Sequence, residues 1–269
     1  MGTDPLAQSV RRHLAPGRLL PLGGAADGAW LAERAAAGVL RHALDGMPGV
    51  RPGALRIALS DPGTAGRPAV PAPPSALPPG PVRIEAEFDA AVDRPLPVTA
   101  ERVRAALAEA ADDRLGLVVA AVDLRISGLL EEPEDVRSRQ STSEAEPGAT
   151  APAGSGPADG GDGAGAAAAG GADGAVRTAA LGVPGVARLT PAPYGRDRPV
   201  WIKDTFPDGR GDTPPGRHVE IHLAVFADHR VLDVVRRVRS AAARAAAGGA
   251  PGQVTVAVVV PQVADTART

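Results

Sequence analysis

The strongest constraint on this chain is that it repeats itself. Met47-Pro48-Gly49-Val50 returns as Val183-Pro184-Gly185-Val186, and Pro78-Pro79-Gly80 returns as Pro214-Pro215-Gly216, both 136 positions further on. The alternating run Val82, Ile84, Ala86 and Phe88 returns 137 positions later as Val219, Ile221, Leu223 and Val225. RVRAALAEAA at 102–111 matches RVRSAAARAA at 237–246 at seven of ten positions. Gly116 and Gly252 then precede closing runs whose alternate members are Val118, Ala120, Val122, Leu124 and Val254, Val256, Val258, Val260. Five landmarks in one order, at nearly one offset, imply two copies of one supersecondary unit.

Each copy reads helix, Pro-Gly-Val turn, strand, Pro-rich loop, strand, helix, strand. Apolar side chains at every second position mark half-buried strands, and those at three- and four-residue spacing mark amphipathic helices. The first helix is expected over residues 29–44, through Trp30, Leu31, Ala35, Val39, Leu40 and Leu44, until Gly46 and Pro48 stop it. A short strand follows through Leu55, Ile57 and Leu59, with Val200 and Ile202 as its counterpart. The later helix begins near Thr99, whose hydroxyl can cap its first turn, and its twin begins near Arg230 with Val231, Val234, Val235, Val238 and Ala242 on one face. One apolar stripe per helix and one apolar face per strand imply an α+β fold: two related small domains, each with helices packed on a small sheet.

Composition sets the boundaries. Residues 131–175 contain no aromatic residue and almost no aliphatic side chain larger than Ala, too little to offset chain entropy, so a disordered linker is expected there. The division is then an N-terminal helical extension over 1–28, a first repeat over 29–130 with a Pro-rich loop at 62–81, a second repeat over 176–264 and a tail over 265–269.

The 29 basic and 31 acidic side chains nearly cancel, which argues against a sequence-independent nucleic-acid binder. The absence of cysteine removes disulfides, thiolate metal sites and Cys nucleophiles, and fits a reducing compartment, so a cytoplasmic location is expected. No apolar run approaches the ~18 residues needed to span a bilayer, and Arg11, Arg12 and His13 interrupt the opening before any signal-peptide core. The nucleophile elbow, the phosphate-binding glycine loops and the zinc-protease helix have no match. No catalytic residue and no cofactor are therefore expected, and the protein is read as a non-enzyme.

Two groups of residues remain. His218, Glu220 and His222 share one face of a strand, with His229 following, and His218, His222 and His229 are the only candidates for a metal site. Alternate positions on a strand edge also describe an ordinary solvated face, and that is the expectation preferred here. Arg236, Arg237 and Arg239, with Arg102 and Arg104 at related places in the first copy, form basic helix faces and are the candidate interaction residues.

The second half, PGVARL followed by HVEIHLAVFADHRVLDVVRRVRSAAARAAAGGAPGQVTVAVVV, resembles the alkaline shock protein family of bacterial envelope stress proteins. The first half resembles it through MPGV, VRIEAEFDAAVDRPLPVTAERVRAALAEAA and LGLVVAAVDLRISGL. GRLLPLGGAADGAWLAERAAAGVLR and PPSALPPGP are also similar to an actinobacterial family of unknown function carrying a nucleopolyhedrovirus-type label. The first resemblance implies a non-enzymatic cytoplasmic protein that gathers at the envelope through protein partners, membrane proteins among them, and self-associates. It brings no catalytic or ligand residues. The rival reading is a metal-binding or metal-sensing protein using the three histidines.

Overall fold

The computed structural model describes residues 17–130, 171–192, 198–206 and 214–265. They form nine strands in two sheets and four α-helices, a mixed α+β architecture. In chain order these are β1 (Leu19–Pro21), β2 (Ala29–Ala32), α1 (Glu33–Leu44), β3 (Val50–Leu59), β4 (Val82–Ala91), α2 (Leu96–Glu109) and β5 (Val119–Leu130). The second half continues with α3 (Ala172–Leu181), β6 (Val186–Leu189), β7 (Val200–Thr205), β8 (Gly216–Phe226), α4 (Val231–Ala246) and β9 (Gln253–Ala264).

The two halves share one topology. In the first sheet β3 pairs antiparallel with β4, and β4 pairs parallel with β5 across the α2 crossover. In the second, β6 and β7 lie end to end antiparallel to β8, and β8 pairs parallel with β9 across α4. The register keeps the offset read from sequence: Val82 faces Val119, and Val219 faces Val256. The counterpart of β3 is split in the second half into β6 and β7.

Residues 17–32 depart from the expected helical extension. Leu19–Pro21 and Ala29–Ala32 are strands, Ala25–Asp27 is a single 3-10 turn, and α1 begins only at Glu33. The cause is non-local: β2 adds in parallel to β9, Trp30 opposite Val259 and Leu31 opposite Val260, and β1 folds back on β2. All four residues of β2 are buried. The start of the first half therefore completes the sheet of the second, giving the strand order β1-β2-β9-β8-β6.

The Pro-rich loop makes the same crossing. Val70 and Ala76 pack with Leu19, Trp30, Ala32, Ala257 and Val259 on the outer face of the second sheet. The Trp30 indole N–H donates to the Leu77 carbonyl at 3.1 Å, and residues 75–77 cover the outer edge of β1 through Leu19 N–H to Ser75 O and Leu77 N–H to Leu19 O. On the inner side, one continuous core joins the inner faces of both sheets through buried residues of all four helices. On α4 this face is Val231, Leu232, Val234, Val235, Val238, Ala242 and Ala246, as its spacing predicts. Burial of each such valine is worth about 1.5–3 kcal/mol.

Smaller differences have local causes. α2 begins at Leu96 rather than Thr99, since Pro97 suits a first turn that needs no amide donor, and Thr99 is buried inside the helix rather than capping it. After α2 a π-helical turn, Ala110–Leu115, ends at Gly116 with φ 80°. A bulge between Val119 and Ala121 resets the alternation of β5, so Val118 is exposed while Val119, Val122, Leu124 and Ile126 meet the core. α3 begins at Ala172, inside the segment expected to be linker, and residues 131–170 of that segment lie outside the described residues, as do residues 1–16 and 266–269.

Candidate functional site

The strand histidines do not lie on a solvated face. Glu220 is 6% and His222 is 1% exposed, and His222 Nε2 lies 2.7 Å from Glu220 Oε1. They sit on the outer face of the second sheet, where Glu220 is opposite Trp201 and Ala257, and His222 is opposite Val259. A polar pair at alternate positions had suggested solvent, but β9 beside it is apolar on both faces and the sheet is covered on both sides. His222 Nδ1 is buried without a hydrogen-bond partner. His218 is half-buried with Nδ1 2.9 Å from Thr255 Oγ1. Burial pushes its pKa down and Lys203 adds to that, while Glu220 opposes them.

The three metal candidates are not brought together. His229 lies at the start of α4 with Nδ1 2.8 Å from Asp228 Oδ1, against Gly185, whereas His218 and His222 face outward from β8. Among the described residues no group of three metal-ligating side chains converges.

The candidate interaction arginines divide by what holds them. Arg236 makes a two-point contact with Asp27, Nε to Oδ1 at 2.8 Å and Nη2 to Oδ2 at 3.0 Å. Arg239 donates to the Ala26 carbonyl at 2.9 Å and to the Val256 carbonyl at 3.1 Å. These two fasten the 3-10 turn of the first half onto α4, which removes them from an open docking face. Arg237 is exposed. Arg102 is half-buried, with Nη1 buried and without a partner. Arg104 pairs with Glu101 and its Nε–H reaches the Val122 carbonyl on β5 at 3.4 Å.

Three other arginines, Arg217, Arg18 and the Arg230 that marked the start of the last helix in the sequence, do most of the fastening. Arg217 is 8% exposed and donates to both Asp204 carboxylate oxygens and to the carbonyls of Ala246, Gly248 and Gly249, closing the C-terminal end of α4. Arg230 donates to Asp112 Oδ1 at 2.7 Å and to its carbonyl at 2.9 Å, tying the π-helical turn of the first half to α4. Arg18 and Glu33 pair at 3.1 Å and together occupy the free edge of β3: Glu33 accepts the Ile57 N–H and Arg18 donates to the Ile57 carbonyl. Isolated arginines carry no periodicity, so only the three-dimensional arrangement reveals them.

A groove of about 670 Å³ runs between α1 and the end of β9, lined by Arg34, Arg41, His42, Asp45, Arg114 and Gln262 among others. It carries both signs of charge, His42 Nδ1 lies 3.3 Å from Asp45 Oδ2 within it, and no hydroxyl or thiol lines it.

The sheet edges are the most telling surfaces. In the second sheet, β9 is covered by β2, β2 by β1, and β1 by the Pro-rich loop; the opposite edge is broken into two short strands. In the first sheet, β3 is blocked by the Arg18–Glu33 pair. β5, the counterpart of β9, is twelve residues long and pairs among the described residues only with β4. The outer face of that sheet is exposed and charged, with Arg51 bound to Asp89, Arg83 to Asp123 and Arg125 to Glu87. A long edge strand with free amides and carbonyls is a surface onto which another strand can add. Among the described residues no helix is long and apolar enough to cross a membrane. No family model matches the chain, and no curated protein is significantly similar to it.

Proposed function

We propose that the protein is a non-enzymatic scaffold that works by protein–protein contact through its first α+β unit. The observation that carries this reading is the difference between twin strands: the chain closes the edge of β9 with its own residues 29–32, whereas among the described residues β5 pairs with no strand but β4. A unit completed internally serves stability, while an open one serves recognition by strand addition or across its charged face. The resemblance to alkaline shock proteins extends the proposal: a cytoplasmic protein gathered at the envelope by a membrane-protein partner.

Site-specific photocross-linking in cells tests it. A photoreactive residue at Ala120 on β5 is expected to yield a discrete protein adduct in the membrane fraction, and the same group at Ser240 on α4 is expected to yield none. Absence of any adduct from Ala120, or equal adducts from both positions, contradicts the proposal.

A further inference from the structure

We infer that β5 pairs antiparallel with β5 of a second copy of this chain, about a twofold axis at Leu124. This deepens the contact reading above and rests on it by naming one partner.

The backbone direction comes first. The Ile57 N–H and carbonyl turn away from β4 to Glu33 and Arg18, so Ile84, its partner on β4, turns its own toward β5. Val122, opposite Ile84 in the parallel pair, therefore points to the outer edge, where its carbonyl accepts from Arg104. Residues two apart on a regular strand share that direction, and β5 is regular from Ala121 to Ile126, between its two bulges. Leu124 and Ile126 therefore present their amides and carbonyls outward together with Val122. Antiparallel pairing centred on Leu124 makes Leu124 with Leu124, and Val122 with Ile126, hydrogen-bonded pairs. Asp123 then stands opposite Arg125 of the other copy, twice, at the more closely spaced non-hydrogen-bonded positions.

Charge selects this register. Side chains on one face alternate, so the nearest competing registers are centred on Asp123 or on Arg125. The first sets Asp123 against Asp123 and the second sets Arg125 against Arg125, both unfavourable. Only the Leu124-centred pairing places unlike charges opposite each other. The same register brings two exposed apolar side chains against partners from the other copy: Leu129, 55% exposed, against Val119, and Val118, 51% exposed, against Leu130. An interface built this way is self-complementary and closes as a dimer rather than a fibre. Arg104 holds the Val122 carbonyl only at 3.4 Å, a long hydrogen bond that the Ile126 amide of the second copy replaces.

The test uses purified full-length chains and sedimentation velocity over a range of concentrations at low and high salt. The wild-type chain is expected to dimerise, more weakly as salt rises. Arg125→Asp and Asp123→Arg, each placing like charges opposite one another twice, are expected to weaken dimerisation about tenfold or more. An equimolar mixture of the two variants restores unlike pairs and is expected to recover a heterodimer, which also shows that both variants fold. A monomeric wild type, single variants that dimerise like wild type, or a mixture that stays monomeric each overturn the inference. Purified protein alone decides this point, so its failure is separable from failure of the cellular cross-linking test, which reads contact with other proteins.

Discussion

Arg236 and Asp27 lie 209 residues apart and meet through two hydrogen bonds of 2.8 and 3.0 Å, which pin the turn between β1 and β2 to the exposed face of α4. Asp27 also accepts the Gly24 N–H at 2.8 Å, so one carboxylate orders its own turn and docks it. The Arg236 hydrogen bond holds the Asp27 carboxyl below its usual range against the opposing effect of burial. Arg236 is half exposed, which discounts the charge contribution. Asp27→Ala is expected to cost about 1 kcal/mol in urea unfolding at neutral pH. Because the folded-state pKa is lowered, this contribution is present above the ordinary carboxylate range and is lost as pH falls through the folded value. The difference between wild type and variant should therefore vanish in strong acid; a constant difference down to acid would contradict the assignment.

Arg217 is a more demanding case, since one nearly buried guanidinium serves Asp204 and three carbonyls at the end of α4. Arg217→Ala leaves all of them unmet and is expected to cost about 2–4 kcal/mol. Arg237→Ala, at an exposed position on the same half, should stay within about 0.5 kcal/mol. Chemical denaturation of the two variants side by side checks the contrast.

Gly116 adopts φ 80°, and a Cβ there would lie 2.5 Å from the Cβ of Leu232. Here the first half packs against α4. Gly116→Ala should cost more than about 2 kcal/mol, combining left-handed backbone strain with the clash. Adding Leu232→Ala should not rescue it, because the contact is with the Leu232 Cβ itself. Thermal unfolding of the single and double variants measures this, and rescue by the second substitution would refute the geometry.

His218 gives a pH signature distinct from that of the carboxylates. Burial, with Lys203, lowers its folded-state pKa, and Glu220 opposes this. The unfolded chain then binds the proton more readily, so stability is complete above the ordinary histidine value and declines as pH falls below about 6.5. His218→Gln should flatten that decline relative to wild type when unfolding is measured between pH 7.5 and 5. An unchanged pH profile would show that His218 is not its source.

Local periodicity made much of the fold legible. α4 shows its core stripe in the spacing of its valines, and β4 shows its inward face in strict alternation, whereas β8 is buried almost throughout. Residues 29–32 misled for a physical reason: Ala-Trp-Leu-Ala is buried on both sides, and a short continuous apolar run reads equally as helix or strand until a distant partner, β9, fixes it. The buried His222–Glu220 pair had a clue one strand away. β9 runs Val256, Ala257, Val258, Val259, Val260 without a polar break, the signature of a sheet covered on both faces. The arginine fasteners left no such trace, because a guanidinium that reaches carbonyls in another element depends on tertiary geometry alone. The same is true of the open β5 edge, which is legible only beside the closed edge of β9.

Residue-resolved hydrogen exchange on the full chain, at low and at high protein concentration, tests that asymmetry most directly. In the dilute sample the amides of Leu124 and Ile126 should exchange at least about a hundredfold faster than that of Val258, which donates to the Gly28 carbonyl across the closed edge. On concentration, protection should rise at Leu124 and Ile126 and stay unchanged at Val258. Equal protection of both edges in the dilute sample, or no response of β5 to concentration, would contradict the account.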